Sequence, residues 1–271
     1  MPTPIVRLTK PEGVPEWLWE TELALFDPLG LVTPLAITRK AFTRALERVG
    51  GFREYPPEVE ERVYELLKKL PKRVFRRIFR ITLTPEEFGE AAVEQVRREV
   101  QKRLRKISSK EATKQLMEQA RDVLGYLVEE IEGIKRHAGV KGVTATPGGA
   151  PHSWHRRPIM LVIAGRGKGR TGLHELGHVL VGEMQPSTTW VLRNVYAKTF
   201  GSPEGRRILS QLRAMWGVET FPWDELFAEG FARYMVGDPW FKLLPEAYQA
   251  AIQATFEPEY AARLYRGWPG R

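Results

Sequence analysis

Residues 174 to 178 read His-Glu-Leu-Gly-His, and helix geometry gives that spacing a chemical meaning. Residues four apart on an α-helix lie on one face about one turn apart, so the imidazoles of His174 and His178 can converge on a single metal ion. Glu175 stands about 100° further round the same helix. There it can accept a proton from a metal-bound water without being a ligand itself. Two imidazoles leave a hydrolytic metal one protein ligand short. Catalytic zinc usually takes three protein ligands and keeps a fourth position for water, and in the two-histidine class the third is often a glutamate from a second helix. The segment Glu225-Leu226-Phe227-Ala228-Glu229 supplies the candidate, Glu225.

With five histidines in 271 residues, a chance match to this pattern is on the order of one in a hundred. The surroundings strengthen the metal reading over that of two solvated histidines. Leu173, Leu176, Val179, Leu180 and Met184 give an apolar face, so a buried helix is predicted from His174 to Met184, capped at Thr171 and entered from a loop holding Gly165, Gly167 and Gly169. The class of site with a third histidine is excluded, because Val181 and Met184 stand where it needs glycine and histidine. Pro222 suits the first turn of a second helix, with Leu226, Phe227 and Phe231 toward the core and Glu225 and Glu229 on one shared face. Two acids on one stripe of an otherwise apolar, aromatic segment imply that the stripe faces positive charge.

At these residues the chain resembles the lethal-factor-like gluzincin metallopeptidases, which carry a His-Glu-x-x-His helix and a Glu-x-Phe-Ala-Glu-x-Phe helix. The correspondence covers His174 to His178 and Glu225 to Phe231. It implies a zinc peptidase with His174, His178 and Glu225 as Zn2+ ligands, Glu175 as general base, and Glu229 accepting a hydrogen bond from a ligand histidine. The family places a tyrosine about two helical turns before the third ligand, where this chain has Val218. The oxyanion donor is therefore unassigned, with Tyr196, Tyr234, Tyr248, His152 and His155 as candidates.

The elements that must position these groups follow from punctuation and periodicity. The expected fold class is α+β, a zincin-like catalytic domain over residues 109–271 preceded by a mainly helical, basic region over 1–108. Prolines 11, 15, 28, 34, 56, 57, 71 and 85 keep helices short until Pro85 has passed. Trp17, Leu18, Trp19, Leu23, Leu25 and Phe26 read as core or docking surface. Ser108-Ser109-Lys110-Glu111 resembles a capping box, and Leu116, Val123, Leu124, Leu127, Val128, Ile131 and Ile134 continue at helical spacing to Gly139, a helix of about eight turns. Residues 140–146 and 159–164 read as strands. Helix, strands, metal helix is the order in which zincin folds build their upper subdomain. Ile159, Met160, Leu161, Val162, Ile163 and Ala164 would then form the edge on which an extended peptide lies.

Composition bounds the remainder. The absence of cysteine excludes disulfides, thiol nucleophiles and thiolate metal sites. No apolar run follows Met1 and no stretch approaches a membrane span, so a cytoplasmic protein is expected, phage-encoded or virion-associated if not cellular. A single asparagine, Asn194, beside abundant arginine resembles the balance of proteins from hot environments. The net charge of +9 is concentrated. Lys68, Lys69, Lys72, Arg73, Arg76, Arg77 and Arg80 form one cluster without an acid among them; Lys102, Arg103, Arg105, Lys106 and Lys110 form another. Either can meet nucleic acid phosphate. Alternatively Val74, Phe75, Ile78 and Phe79 make the first cluster an amphipathic helix docked on the catalytic domain with its charges solvated. Three functions are thus open: peptide-bond hydrolysis, a catalytically silent zincin-like assembly protein, and a nucleic-acid-associated protein.

Overall fold

A computed structural model of the chain describes residues 37–137, 139–145, 158–182, 184, 186–203, 205–207, 209–210, 222–257 and 260. The Trp17 to Phe26 segment, His152, His155 and Val218 lie outside the described residues. Chain order gives α1 (Arg39–Arg48), α2 (Pro57–Lys69), α3 (Lys72–Arg77), β1 (Arg80–Thr82), α4 (Pro85–Leu104), α5 (Lys110–Arg136), β2 (Gly142–Ala145) and β3 (Ile159–Val162). There follow α6 (Gly169–Val181), α7 (Pro186–Gly201), α8 (Trp223–Val236), a 3₁₀ turn (Pro239–Leu243) and α9 (Glu246–Ala254). The fold is α+β, mostly helical with one small sheet. Among the described residues no helix is long and apolar enough to cross a membrane.

Local chemistry explains the boundaries. Thr38 accepts a hydrogen bond from the Ala41 amide at 3.1 Å and Thr84 from the Glu87 amide at 3.1 Å, each satisfying an otherwise orphaned donor at a helix start. Pro57 and Pro85 occupy the first helical position, where a missing N–H costs nothing. Ser109 caps α5, which runs for 27 residues as its periodicity predicts.

The sheet has the order β1-β3-β2, with β3 parallel to β1 and antiparallel to β2. Its alternation divides the interior. Ile159 and Leu161 face a cluster built from α4 and α5, including Phe88, Val96, Val100, Leu116, Val123 and Leu127. Met160 points instead into a larger cluster formed by the other helices. The expectation that Ile159 to Ala164 forms a sheet edge is therefore corrected: β3 is the central strand, paired on both sides. Beyond its end, the Ile163 amide still donates to Lys141 and the Ala164 amide to Leu83, each at 2.9 Å. Among the described residues, β3 thus has a paired strand on either side.

The larger cluster joins Phe42, Leu46, Val63, Leu67, Val74, Phe75 and Ile78 to Leu173, Leu176, Leu226, Phe227 and Phe231. Residues on both sides of position 108 thus share one core. The amphipathic reading of the first basic cluster holds in α3, where Val74, Phe75 and Ile78 are buried and Lys72, Arg73 and Arg76 are exposed. At the far end of α8, Arg62 of α2 donates to the Met235 and Tyr234 carbonyls at 3.2 and 3.0 Å, and Gly237 closes the helix at φ 75°. Phe75→Ala removes a ring 1 % exposed and 5.6 Å from that of Phe42. It should cost about 3–5 kcal/mol in chemical denaturation and lower a single transition that also reports the metal helix. An unperturbed second transition for residues 109–271 would mean that the two regions do not share a folding unit.

Candidate metal centre

Helix α6 starts two residues before the expected cap. Lys168, in extended conformation, precedes the helix, and its amide donates to Thr171 Oγ1 at 3.2 Å, so Thr171 sits inside the first turn and closes it from there. The Gly169 amide donates to the Gly51 carbonyl at 2.9 Å, anchoring that end to the loop after α1. Glycine makes α6 thin where neighbours press closest. A Cβ on Gly172 would strike Leu46 of α1, and one on Gly177 would lie 2.7 Å from Ala228 Cα of α8. Gly177, a free position of the first motif, and Ala228, the small fixed residue of the second, are where the helices cross. Pro222 stands just outside α8 rather than in its first turn, and Glu225 follows near the helix start.

This crossing brings three donor atoms together. His174 Nε2 and His178 Nε2 are 3.2 Å apart, His174 Nε2 lies 3.1 Å from Glu225 Oε2, and His178 Nε2 lies 3.2 Å from Glu225 Oε1. A tetrahedral metal bound through nitrogen and oxygen at about 2.0–2.1 Å holds its ligand atoms roughly 3.3–3.4 Å from one another. The 3.1 and 3.2 Å contacts are to different oxygens of Glu225; with one ligand atom from each residue, the three all lie within 4.8 Å of one another, close enough to hold a metal ion. Side-chain exposures of 21 %, 17 % and 34 % for His174, His178 and Glu225 leave the cluster open on one side, as a site that must admit water and substrate requires.

Glu229, one turn beyond Glu225, lies behind His174, with Oε2 3.3 Å from Nδ1. A carboxylate accepting from Nδ1–H leaves the Nε2 lone pair free for a metal. Glu229 is held in turn by Arg233 Nε at 2.8 Å and Arg170 at 3.3 Å, both through Oε1. Arg233 also reaches Asp238 at 2.6 Å, whose other oxygen accepts the Trp240 amide. Glu175 is 4 % exposed. Its carboxylate has room because β2 offers Gly142, where a Cβ would come within 2.6 Å of Oε1. Thr144 of the same strand donates to the Glu175 carbonyl at 3.1 Å.

The charges are unevenly paired. Arg170 and Arg233 hold Glu229, and Arg233 also holds Asp238, whereas Glu225 has the two imidazoles as its partners. Burial works to lower the pKa of His174, but hydrogen bonds to Glu225 and Glu229 and the nearby charges of Glu175 and Glu225 outweigh it and raise the value to about 10. Burial opposes ionisation of Glu229, yet the His174 hydrogen bond and the charges of Arg170, His174 and Arg233 bring it down to about 2. Glu225 is likewise pushed far below the usual carboxylate range by its two histidine partners, against burial. Glu175 behaves differently. Desolvation dominates there and raises its pKa, against the lowering charges of His174 and His178.

The spacing of the motifs foretold the meeting of His174, His178 and Glu225 and the place of Glu229. It did not foretell Arg170, Arg233, Asp238 or Gly142. Arg233 had a legible signal, an Arg four residues after Glu229 on one helix face; Gly142 had none, since its role depends on a strand docking against α6. Of the oxyanion candidates, Tyr248 is buried, and its hydroxyl faces the Leu192 and Trp223 carbonyls at 3.1 and 3.3 Å. It ties α7 to the start of α8. Tyr234 packs between Phe241 and Phe256, about 13 Å along α8 from Glu225 at 1.5 Å per residue. Tyr196 packs on Phe200.

No protein-family model, curated protein or solved structure matches the chain. Its chemistry is carried by its own residues. Gly177→Ala would force α6 and α8 apart without touching a ligand, and a 10- to 100-fold loss of metal affinity is expected, roughly the effect of misplacing a ligand. Titration against a chromophoric chelator checks this, and an unchanged affinity would mean that the crossing does not set the ligand spacing. For Glu229→Gln a loss of similar size is expected from the same titration, roughly 10- to 100-fold; wild-type affinity and turnover would reduce Glu229 to a partner of Arg233 alone.

Proposed function

We propose that the chain is a zinc metallopeptidase of gluzincin type, hydrolysing peptide bonds. The observation that carries this reading is the convergence of His174, His178 and Glu225, with one ligand atom from each within 4.8 Å of the others, open on one side and flanked by buried Glu175. Two nitrogens and one carboxylate oxygen form the donor set of hydrolytic zinc. Bound there, zinc supplies a polarised carbonyl and a water of pKa about 7. Glu175 accepts the proton of the attacking water and passes it to the leaving amine. Its burial favours proton uptake, since desolvation disfavours the charged carboxylate and raises its pKa. Glu229 holds His174 in the tautomer that presents Nε2.

The arrangement of a long helix, strands, metal helix and glutamate helix supports a zincin-like architecture for this half of the chain. An extended substrate would pair with β2 rather than β3. Among the described strands β2 is the edge beside α6, and Gly142 and Thr144 bring its backbone against Glu175. A silent assembly protein would retain a metal without needing a base beside it, so the buried carboxylate of Glu175 favours the enzyme.

Replacing Glu175 with Gln keeps the shape and removes the proton acceptor. Zinc content should stay near one per chain while cleavage falls by roughly 10² to 10⁴-fold. Digestion of an unbiased peptide library by wild type, Glu175→Gln and chelated wild type, read by mass spectrometry, distinguishes the outcomes. No cleavage by zinc-loaded wild type would favour the assembly protein, and equal cleavage by the variant would remove Glu175 from the mechanism.

A further inference from the structure

The metal centre leaves the cationic side of α3 unused. At about 100° per residue, Lys72, Arg73, Arg76 and Arg77 share an arc of roughly 140°. Val74 and Phe75 occupy the opposite side, 3 % and 1 % exposed within the core that also holds Leu173 and Leu176 of α6. Burial on that scale prevents the helix from rolling, so the cations are presented by a fixed frame. Neighbouring charges are partly satisfied. Lys68 pairs with Glu65, Lys69 lies 3.9 Å from Glu257, and Arg80 lies 3.1 Å from Glu94. Lys72, Arg73 and Arg76 form no ion pair among the described residues. Arg39 of α1 sits over the Phe75 ring at 5.8 Å and brings a further guanidinium against α3.

We propose that this side of α3 is a docking surface for duplex DNA, gripping its phosphate backbone independently of sequence. Lys72, Arg73 and Arg76, exposed on one rigidly held helix face, suit a polyanion of high linear charge density, and a duplex carries one charge per roughly 1.7 Å of axis. Arginine forks match phosphate oxygens in geometry. The large exposed apolar side chains among the described residues are Tyr126, Trp190 and Leu243. None belongs to this segment, so the face lacks the stacking platform that single strands use. The docking surface stands apart from the metal ligands and would bring a protease to substrates assembled on DNA.

The test is fluorescence anisotropy of the full-length, zinc-loaded chain with a short labelled duplex of arbitrary sequence, over a range of salt concentrations. Wild type should bind with a dissociation constant on the order of 10⁻⁶ to 10⁻⁴ M at physiological salt. A Lys72→Gln, Arg73→Gln, Arg76→Gln variant should make the slope of log affinity against log salt shallower by roughly 2 to 3. A second triple variant, Arg105→Gln, Lys106→Gln, Lys110→Gln, loses the same charge from the turn between α4 and α5 and should bind nearly as wild type. All six side chains are exposed, so both variants should keep wild-type thermal transitions. Equal losses in the two variants would attribute binding to bulk charge and overturn the proposal, as would absent binding by wild type. Displacement by polyglutamate or anionic vesicles at charge concentrations no higher than that of the duplex would also overturn it, reassigning the face to acidic protein or to membrane.

Discussion

The structure depends on how closely α6 and α8 approach. Ligand groups on two helices converge only if the helix axes come nearer than ordinary side chains allow, and Gly177 against Ala228 permits it. Helix pairs usually keep axes 8–10 Å apart, depending on the side chains at the contact. Small residues at the crossing move the whole of α8 toward α6, and Glu225 rides with it. The surrounding elements maintain the contact. Leu46 seats against Gly172, Gly51 holds the start of α6, and Arg62 caps the end of α8. These three residues belong to the N-terminal helices and the loop between them, so the N-terminal region acts as the buttress of the metal centre.

Charge imposes the second constraint. Burying several carboxylates near one another is costly unless cations or hydrogen bonds compensate. Arg233 and Arg170 satisfy Glu229 from behind, which allows it to face His174 as an ionised acceptor. Glu225 is left facing the two histidines, with which it forms a group able to hold a metal ion. Neighbouring carboxylates therefore behave in opposite ways. Glu225 and Glu229 are held ionised by their partners, while Glu175 has its pKa raised by desolvation.

Legibility in the sequence followed the range of the interaction. The i, i+4 pair of histidines, the acids on α8, the cap of α5 and the helix boundaries at Pro56, Pro57, Pro71 and Pro85 all reside in a few consecutive residues, and each appears among the described residues. The place of β3 could not be read that way. Its parallel partner β1 is three residues long, too short for alternation to register, and comes from the far side of two long helices. Gly142 and Arg170 were similarly hidden, since each matters through one contact made across the fold. The start of α6 was misplaced because Thr171 works from inside the helix, accepting the Lys168 amide, where a cap residue would act from the position before it.

The shared core has a consequence for how the molecule comes into being. Domains generally fold as units, N-terminal first, as they leave the ribosome. Here Phe42, Val63 and Phe75 complete their packing only against residues such as Leu176, Phe227 and Ile252. Helices α1 to α3 therefore wait, apolar faces unsatisfied, until α6, α8 and α9 have been made. Contacts so distant in sequence slow folding and expose the intermediate to aggregation. The same delay means that His174 and His178 gain Glu225 as a partner only after α8 has been made and has docked on α6.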